Sequence, residues 1–220
     1  ICRAYYQSKD DDEKHQWFSL LCIKRQDIIK NAINKYSVLR RILDDINRIE
    51  HCLIYCSPQQ IDTVQDILNE KSIIQHKFTQ IEGIKPEAKY GGISERQFLL
   101  KNFSDGKFQA LVAMKCLDEG VDIPSAKIAI MLTNSGNPRE YIQRRGRVLR
   151  NFPGKRYAVI YDIIVIPSLH LNVPTEFKDL EKKILVNEFK RYNEFALAAR
   201  NTVECLKRIE EIEMKHGLLT

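Results

Sequence analysis

The sharpest chemical pattern in the chain is Gln143-Arg144-Arg145-Gly146-Arg147-Val148-Leu149-Arg150. If this stretch is helical, Gln143, Arg147 and Arg150 stand at i, i+4 and i+7 on one face. A glycine inside a helix costs roughly 1 kcal/mol relative to alanine, so Gly146 needs a reason. Either it removes a side chain where a partner comes close, or the helix frays there and Arg147 and Arg150 project from a turn. Both geometries aim guanidinium groups outward. Guanidinium is planar and permanently charged, and it forms bidentate bonds to phosphate oxygens. A solvated basic helix is the plainer alternative, and charge pattern alone leaves both open. A second polar segment, Leu117-Asp118-Glu119-Gly120-Val121-Asp122-Ile123-Pro124, follows an apolar run. Its carboxylates read as a ligand-facing turn or as a solvated acidic one.

Side chains with such work need a scaffold. The run Cys52-Leu53-Ile54-Tyr55-Cys56 is apolar throughout, as a parallel strand buried on both faces should be. Ser57-Pro58 then opens a helix through Val64, Ile67 and Leu68. Further strands are expected near Ile73–Phe78, Ala110–Met114, Ile128–Leu132 and Tyr157–Val165. Thr79–Gly92, with Gly83, Pro86, Gly91 and Gly92, reads as a loop. Ser94 caps a helix with Gln97 three residues later. Asn137, Pro138 and Glu140 open another that runs to Arg150. Strands alternating with helices predict an α/β fold with a parallel sheet flanked by helices. Ligands of such sheets sit at the carboxyl ends of the strands, where both polar segments are expected. Trp17–Asn47 and Thr175–His216 carry helical periodicity, the latter packing on its own domain. The expected divisions are a helical connector over 1–49, the α/β domain over 50–166 and a helical extension over 167–220.

Bulk properties narrow the class. The 220 residues are 44% hydrophobic and 29% charged, enough for one sizeable core, and the net charge of +6 is compatible with nucleic acid. The six cysteines lie scattered, with no CxxC pair, and read as reduced core residues of a cytoplasmic protein. Cys52 and Cys56 share a strand face too far apart to bond each other. His51 points to the face opposite Cys52, which argues against a zinc site. No apolar run approaches membrane-spanning length and no signal peptide is visible. The first residue is Ile1, which reads as a fragment or a trimmed chain.

The segments together resemble a known family. Gln143–Arg150 looks like motif VI of superfamily 2 helicases of DEAD/DEAH type, and Leu111–Pro124 looks like their motif V. His51–Ser57 resembles motif IV, and Ser94–Phe103, with Arg96, resembles the helix between IV and V. Order and spacing match over about residues 51–166. The versions CLDEGVDIP and NPREYIQRRGRVLR are most like bacterial helicases related to type III restriction subunits and excision-repair helicases. The resemblance implies a second RecA-like domain. Arg147 and Arg150 match arginine fingers that reach the γ-phosphate of ATP held by the first domain, and Gln143 faces the same phosphate. Gly120 and Asp122 match the motif V turn that contacts the nucleotide, and Gly146 belongs to this cofactor side. Ser57 and Gln60 match positions near the nucleic-acid backbone. Thr79, with His76, resembles a short motif there. Met114 stands where many relatives carry a threonine whose hydroxyl contacts a phosphate.

No GxxxxGK[ST] loop is present, and Asp118-Glu119 falls within motif V rather than in a Mg²⁺-binding motif. The resemblance therefore implies that ATP and Mg²⁺ are held mainly by an N-terminal RecA-like domain outside this chain. This stretch alone should be inactive. The expected partners are that domain and a nucleic acid, DNA by analogy with the nearest-looking relatives, with no membrane and no metal site here. An ATP-gated module that remodels a protein–nucleic acid complex without unwinding shares the same motifs. An isolated nucleic-acid-binding module is a third reading.

Overall fold

The computed structural model describes residues 20, 23–79, 81–114, 123–133, 142, 145–166 and 175–217. Gly120, Asp122 and Gln143 lie outside the described residues, as do Asn137 and Pro138. The chain forms two compact units, one of residues 30–163 and one of residues 1–29 with 164–220.

The larger unit is built on five parallel strands: β1 Cys52–Tyr55, β2 Gln75–Phe78, β5 Ala110–Ala113, β6 Ile128–Met131 and β7 Val159–Asp162. Their order is β2-β5-β1-β6-β7. All four expected apolar runs outside β2 became strands, each a little shorter than its run. Alternation along them divides the core. Cys52, Ile54 and Cys56 face one side with Val112 and Ile130. Leu53 and Tyr55 face the other with Leu111, Ala113 and Met131. Helix α1 (Asn34–Asp45) and helix α2 (Ile61–Glu70) cover the first face through Leu39, Leu43, Val64, Ile67 and Leu68. Helix α3 (Glu95–Ser104) covers the second through Leu99 and Phe103, where Val148 joins them. This is the RecA-like sandwich expected of the sequence. Burial pushes the Cys52 thiol up to about 12, so it stays protonated as an apolar core group.

Three expectations change. The domain begins near Lys30 rather than at 50, because Leu39 and Leu43 are fully or almost fully buried in the sheet's own core. The loop after β2 contains a small antiparallel hairpin, β3 (Pro86–Glu87) with β4 (Ile93–Ser94). The helical tail breaks in two, α4 (Thr175–Ala196) and α5 (Thr202–Lys215). At the break the Thr202 hydroxyl lies 2.9 Å from the Ala196 carbonyl and 2.5 Å from that of Ala199, taking up helix-end acceptors. In that unit Leu185, Phe189 and Ile209 form a separate small core.

The expected capping box at Ser94 is realised. The Ser94 hydroxyl accepts from the Gln97 N–H at 3.2 Å, and the Gln97 side chain accepts from the Ser94 N–H at 3.1 Å.

Candidate ATP-cleft and nucleic-acid interface

Strand register brings the ends of β1, β2, β5 and β6 into line. Tyr55 lies beside Ala113 and Met131, and Ala113 beside Phe78. Ser57, Thr79, Met114 and Thr133 therefore share the carboxyl edge of the sheet. The Met114 N–H donates to the Phe78 carbonyl at 3.3 Å, and the half-buried Met114 side chain packs into the first core.

Gln60 is wholly buried at the end of the 3₁₀ turn Pro58–Gln60. Its oxygen accepts from the Ser57 N–H at 3.0 Å and from the Thr133 hydroxyl at 2.6 Å. Its amide nitrogen donates to the Lys30 carbonyl at 3.0 Å. Since a backbone N–H can only donate, the Ser57 bond fixes which end of the amide faces it. The Lys30 carbonyl also takes the Lys35 ammonium at 3.0 Å, and Lys35, itself buried, donates to the Leu132 carbonyl at 2.7 Å. Ser57 sends its hydroxyl to Asn31 Oδ1 at 2.5 Å. These side chains pin the entering segment at Lys30–Asn31 across the edge. As the domain stands, Gln60 presents no surface to a nucleic-acid strand, and Ser57 only 6% of its own.

Thr79 is similarly turned inward. Its N–H donates to Glu82 at 2.5 Å, and its hydroxyl lies 2.9 and 3.1 Å from the two carboxylate oxygens. Arg96 reaches the Thr79 carbonyl at 3.4 Å and lies over the Phe78 ring. At the neighbouring residue, Tyr90 donates to Glu95 at 2.6 Å and the Gly83 N–H donates to it at 3.0 Å. Those two bonds, the tyrosine's first, hold the Glu95 carboxyl below its ordinary range.

The arginine segment is helical over residues 145–148, turns at Leu149 and bends at Arg150. Leu149 donates to the Arg145 carbonyl at 3.0 Å. Val148 is fully buried, Arg147 is half-buried, and Gly146 and Arg150 are exposed. A Cβ on Gly146 would meet nothing within 4 Å. Among the described residues, packing therefore gives no reason for the glycine. Lys155 lies at the end of the turn, with its ammonium 2.5 Å from the Val148 carbonyl, 3.0 Å from that of Arg150 and 3.1 Å from that of Pro124. Pro124 and Lys155 belong to the segments leading into β6 and β7. The structure brings Ser57 and Gln60 together directly, and holds the arginine turn as a separate group.

Sequence reasoning missed Lys35, Thr133 and Lys155. Only Lys155 carried a local signal. Phe152-Pro153-Gly154-Lys155 is a turn in which the Lys155 N–H donates to the Phe152 carbonyl at 2.9 Å and Gly154 has φ +76°. Proline then glycine at its centre is the type II pattern.

Comparison with known proteins agrees with this architecture. The helicase conserved C-terminal domain family matches residues 34–152, more than half of the chain. DNA 3'-5' translocase XPB2 of Sulfurisphaera tokodaii is 35% identical over 105 residues, 43% of this chain and 24% of that protein. Putative ATP-dependent RNA helicase MJ1505 of Methanocaldococcus jannaschii is 30% identical over 137 residues, 61% of this chain and 16% of that protein. UvrABC system protein B of Aster yellows witches'-broom phytoplasma is 30% identical over 105 residues, 46% of this chain and 14% of that protein. Each match spans a quarter or less of the relative's own length. With the family matched from α1 through the arginine turn, this chain belongs to the helicase conserved C-terminal domain family, the second RecA-like half of superfamily 2 helicases.

Proposed function

We propose that this domain is the second half of an ATP-driven motor on nucleic acid. It contributes Gln143, Arg147 and Arg150 to an ATP cleft completed by a first RecA-like domain of the same protein. The observation that carries this reading is the arginine turn. Val148 is locked in the core, Arg147 is half-buried and Arg150 exposed on either side of it, and Gly146, just before them, leaves open space where a Cβ would stand. Phosphate oxygens suit such a place, since guanidinium binds them in bidentate fashion. Because the cleft is shared, the phosphate is brought to these arginines by the other domain. Among the described residues no three His, Cys, Asp or Glu side chains gather as a metal site. The residues present fit the phosphate end of ATP, and the ligands of Mg²⁺ are assigned to the other domain. When bound, ATP·Mg²⁺ supplies the phosphoryl group and the cation that neutralises charge on the β- and γ-oxygens.

In this mechanism Gly120 and Asp122 of the motif V turn contact the nucleotide. Domain closure brings Arg147 and Arg150 to the γ-phosphate, and hydrolysis releases them. Repeated cycles step the two domains along one strand. DNA is the proposed track, by analogy with the relative named a DNA translocase. The inward bonding of Ser57, Gln60 and Thr79 favours a second reading, an ATP-gated remodelling module that holds nucleic acid without unwinding it. Strand displacement by the intact protein separates the two.

The test is steady-state ATPase of the intact protein with single-stranded DNA saturating. Arg147→Ala and Arg150→Ala should each lower turnover at least about a hundredfold, against the order of 10³ to 10⁵ given by arginine fingers elsewhere. Arg→Lys should restore little, because ammonium lacks the planar fork. Near-normal turnover from folded variants at both positions would return these arginines to a solvated surface.

A further inference from the structure

The ammonium of Lys155 sits among three backbone carbonyls, those of Pro124, Val148 and Arg150, at 2.5 to 3.1 Å. Lysine has three N–H donors, one for each. Val148 and Arg150 end the arginine turn, where carbonyls lack the donors that a continuing helix would provide. A cation at that end also meets the negative pole of the helical turn. Pro124 closes the segment Leu111–Pro124, whose motif V turn is assigned to the nucleotide. One side chain thus joins the ends of both segments. It is delivered there by the Phe152–Lys155 turn, which needs Gly154 at positive φ.

We infer that Lys155 is a positioning residue, a clamp that fixes the backbone on either side of Leu149 and so sets where the Arg147 and Arg150 guanidiniums point. It touches neither phosphate nor metal and acts through the carbonyls that it holds. The inference rests on the arginine-finger reading for its effect on turnover, but the clamp itself is a property of this chain. A misplacement of about 1 Å at a reacting group can cost on the order of a hundredfold in rate. A lost clamp should therefore lower kcat and leave the KM for ATP nearly unchanged, as expected when transition-state contacts are lost.

Two measurements separate the clamp from the fingers. The first is hydrogen exchange on this chain. Lys155→Met should speed exchange of the Leu149 amide about tenfold or more, by freeing the turn to open locally, while the Ile130 amide in the sheet stays protected. Unchanged exchange at Leu149 would overturn the clamp, whatever the arginines do. If Lys155→Met does not fold, Lys155→Gln takes its place with the same two outcomes. The second is steady-state ATPase of the intact protein. Lys155→Met should lose kcat about tenfold or more with KM within about twofold, and Lys155→Arg, which keeps charge and donors, should recover part of it. Combined with Arg150→Ala, Lys155→Met should add little to the loss. Full additivity, or a wild-type kcat for Lys155→Met where Arg150→Ala is crippled, would refute positioning while leaving the fingers intact. Wild-type turnover for Arg147→Ala and Arg150→Ala would instead refute the fingers.

Discussion

Gly146 concentrates the functional question into one missing methyl group. It lies within the helical stretch 145–148, is exposed, and has open space where a Cβ would stand. In isolation, Gly146→Ala should therefore stabilise the domain by up to about 1 kcal/mol, the ordinary gain of alanine over glycine in a helix. In the intact protein the same change should lower ATP turnover, because the proposed cleft brings a nucleotide held by a facing domain close to this backbone. The pairing of a higher melting temperature with a lower kcat is the measurement. A stabilised variant with full activity would leave the glycine without a function. The arginines around it were legible in the sequence because their spacing and charge are local properties. The anchor of their turn was not: Lys155 meets the Val148 carbonyl and also that of Pro124, 31 residues away and beyond any local pattern.

Between β1 and α2, Gln60 illustrates how an element's end can mislead. A glutamine after Ser57-Pro58 reads as polar and exposed. Its partners, Lys30 and Thr133, lie 30 and 73 residues away, beyond any local pattern. In place, it is a buried bracket joining the start of the domain, the turn after β1 and the segment after β6. Gln60→Ala should leave the Ser57 N–H without its acceptor and remove a donor from Lys30, at roughly 1–3 kcal/mol for each buried group left unsatisfied. Thermal melts of the domain should show a loss well beyond the ~0.5 kcal/mol typical of surface changes. Affinity for single-stranded DNA, and its fall with salt, should hold. A variant of unchanged stability that binds DNA much more weakly would restore Gln60 to the strand interface. Other elements were legible to unequal degrees. The three inner strands β1, β5 and β6 announced themselves, because burial on both faces demands uninterrupted apolar runs. The hairpin β3–β4 did not, since two residue pairs carry no periodicity. The break between α4 and α5 was hidden because Phe195 and Ala199 continue the helical spacing across it.

For the whole molecule, the family assignment and the missing phosphate loop point the same way. The chain belongs to the helicase conserved C-terminal domain family, and its own sequence lacks GxxxxGK[ST]. The purified chain should show no ATP hydrolysis above background, with or without DNA, in a steady-state phosphate-release assay. Turnover that survives repurification and disappears with a substitution in this chain would sink the two-domain reading. Among the described residues no helix is long and apolar enough to cross a membrane.

The strand order carries a last consequence, for the chain's own birth. β1 is the first of the five parallel strands to be synthesised, yet it ends in the middle of the sheet, between β5 and β6. Neither neighbour exists until residues 110–113 and 128–131 have left the ribosome. At about 5–20 residues per second, the apolar run Cys52–Tyr55 waits several seconds with both hydrogen-bonding edges open. Neither α1 nor α2 can shield it fully, because each covers only one face. The nascent domain is thus a natural client for chaperones. A message cut short before β5 yields a peptide whose central strand lacks both of its neighbours, and one cut between β5 and β6 leaves one edge of that strand open.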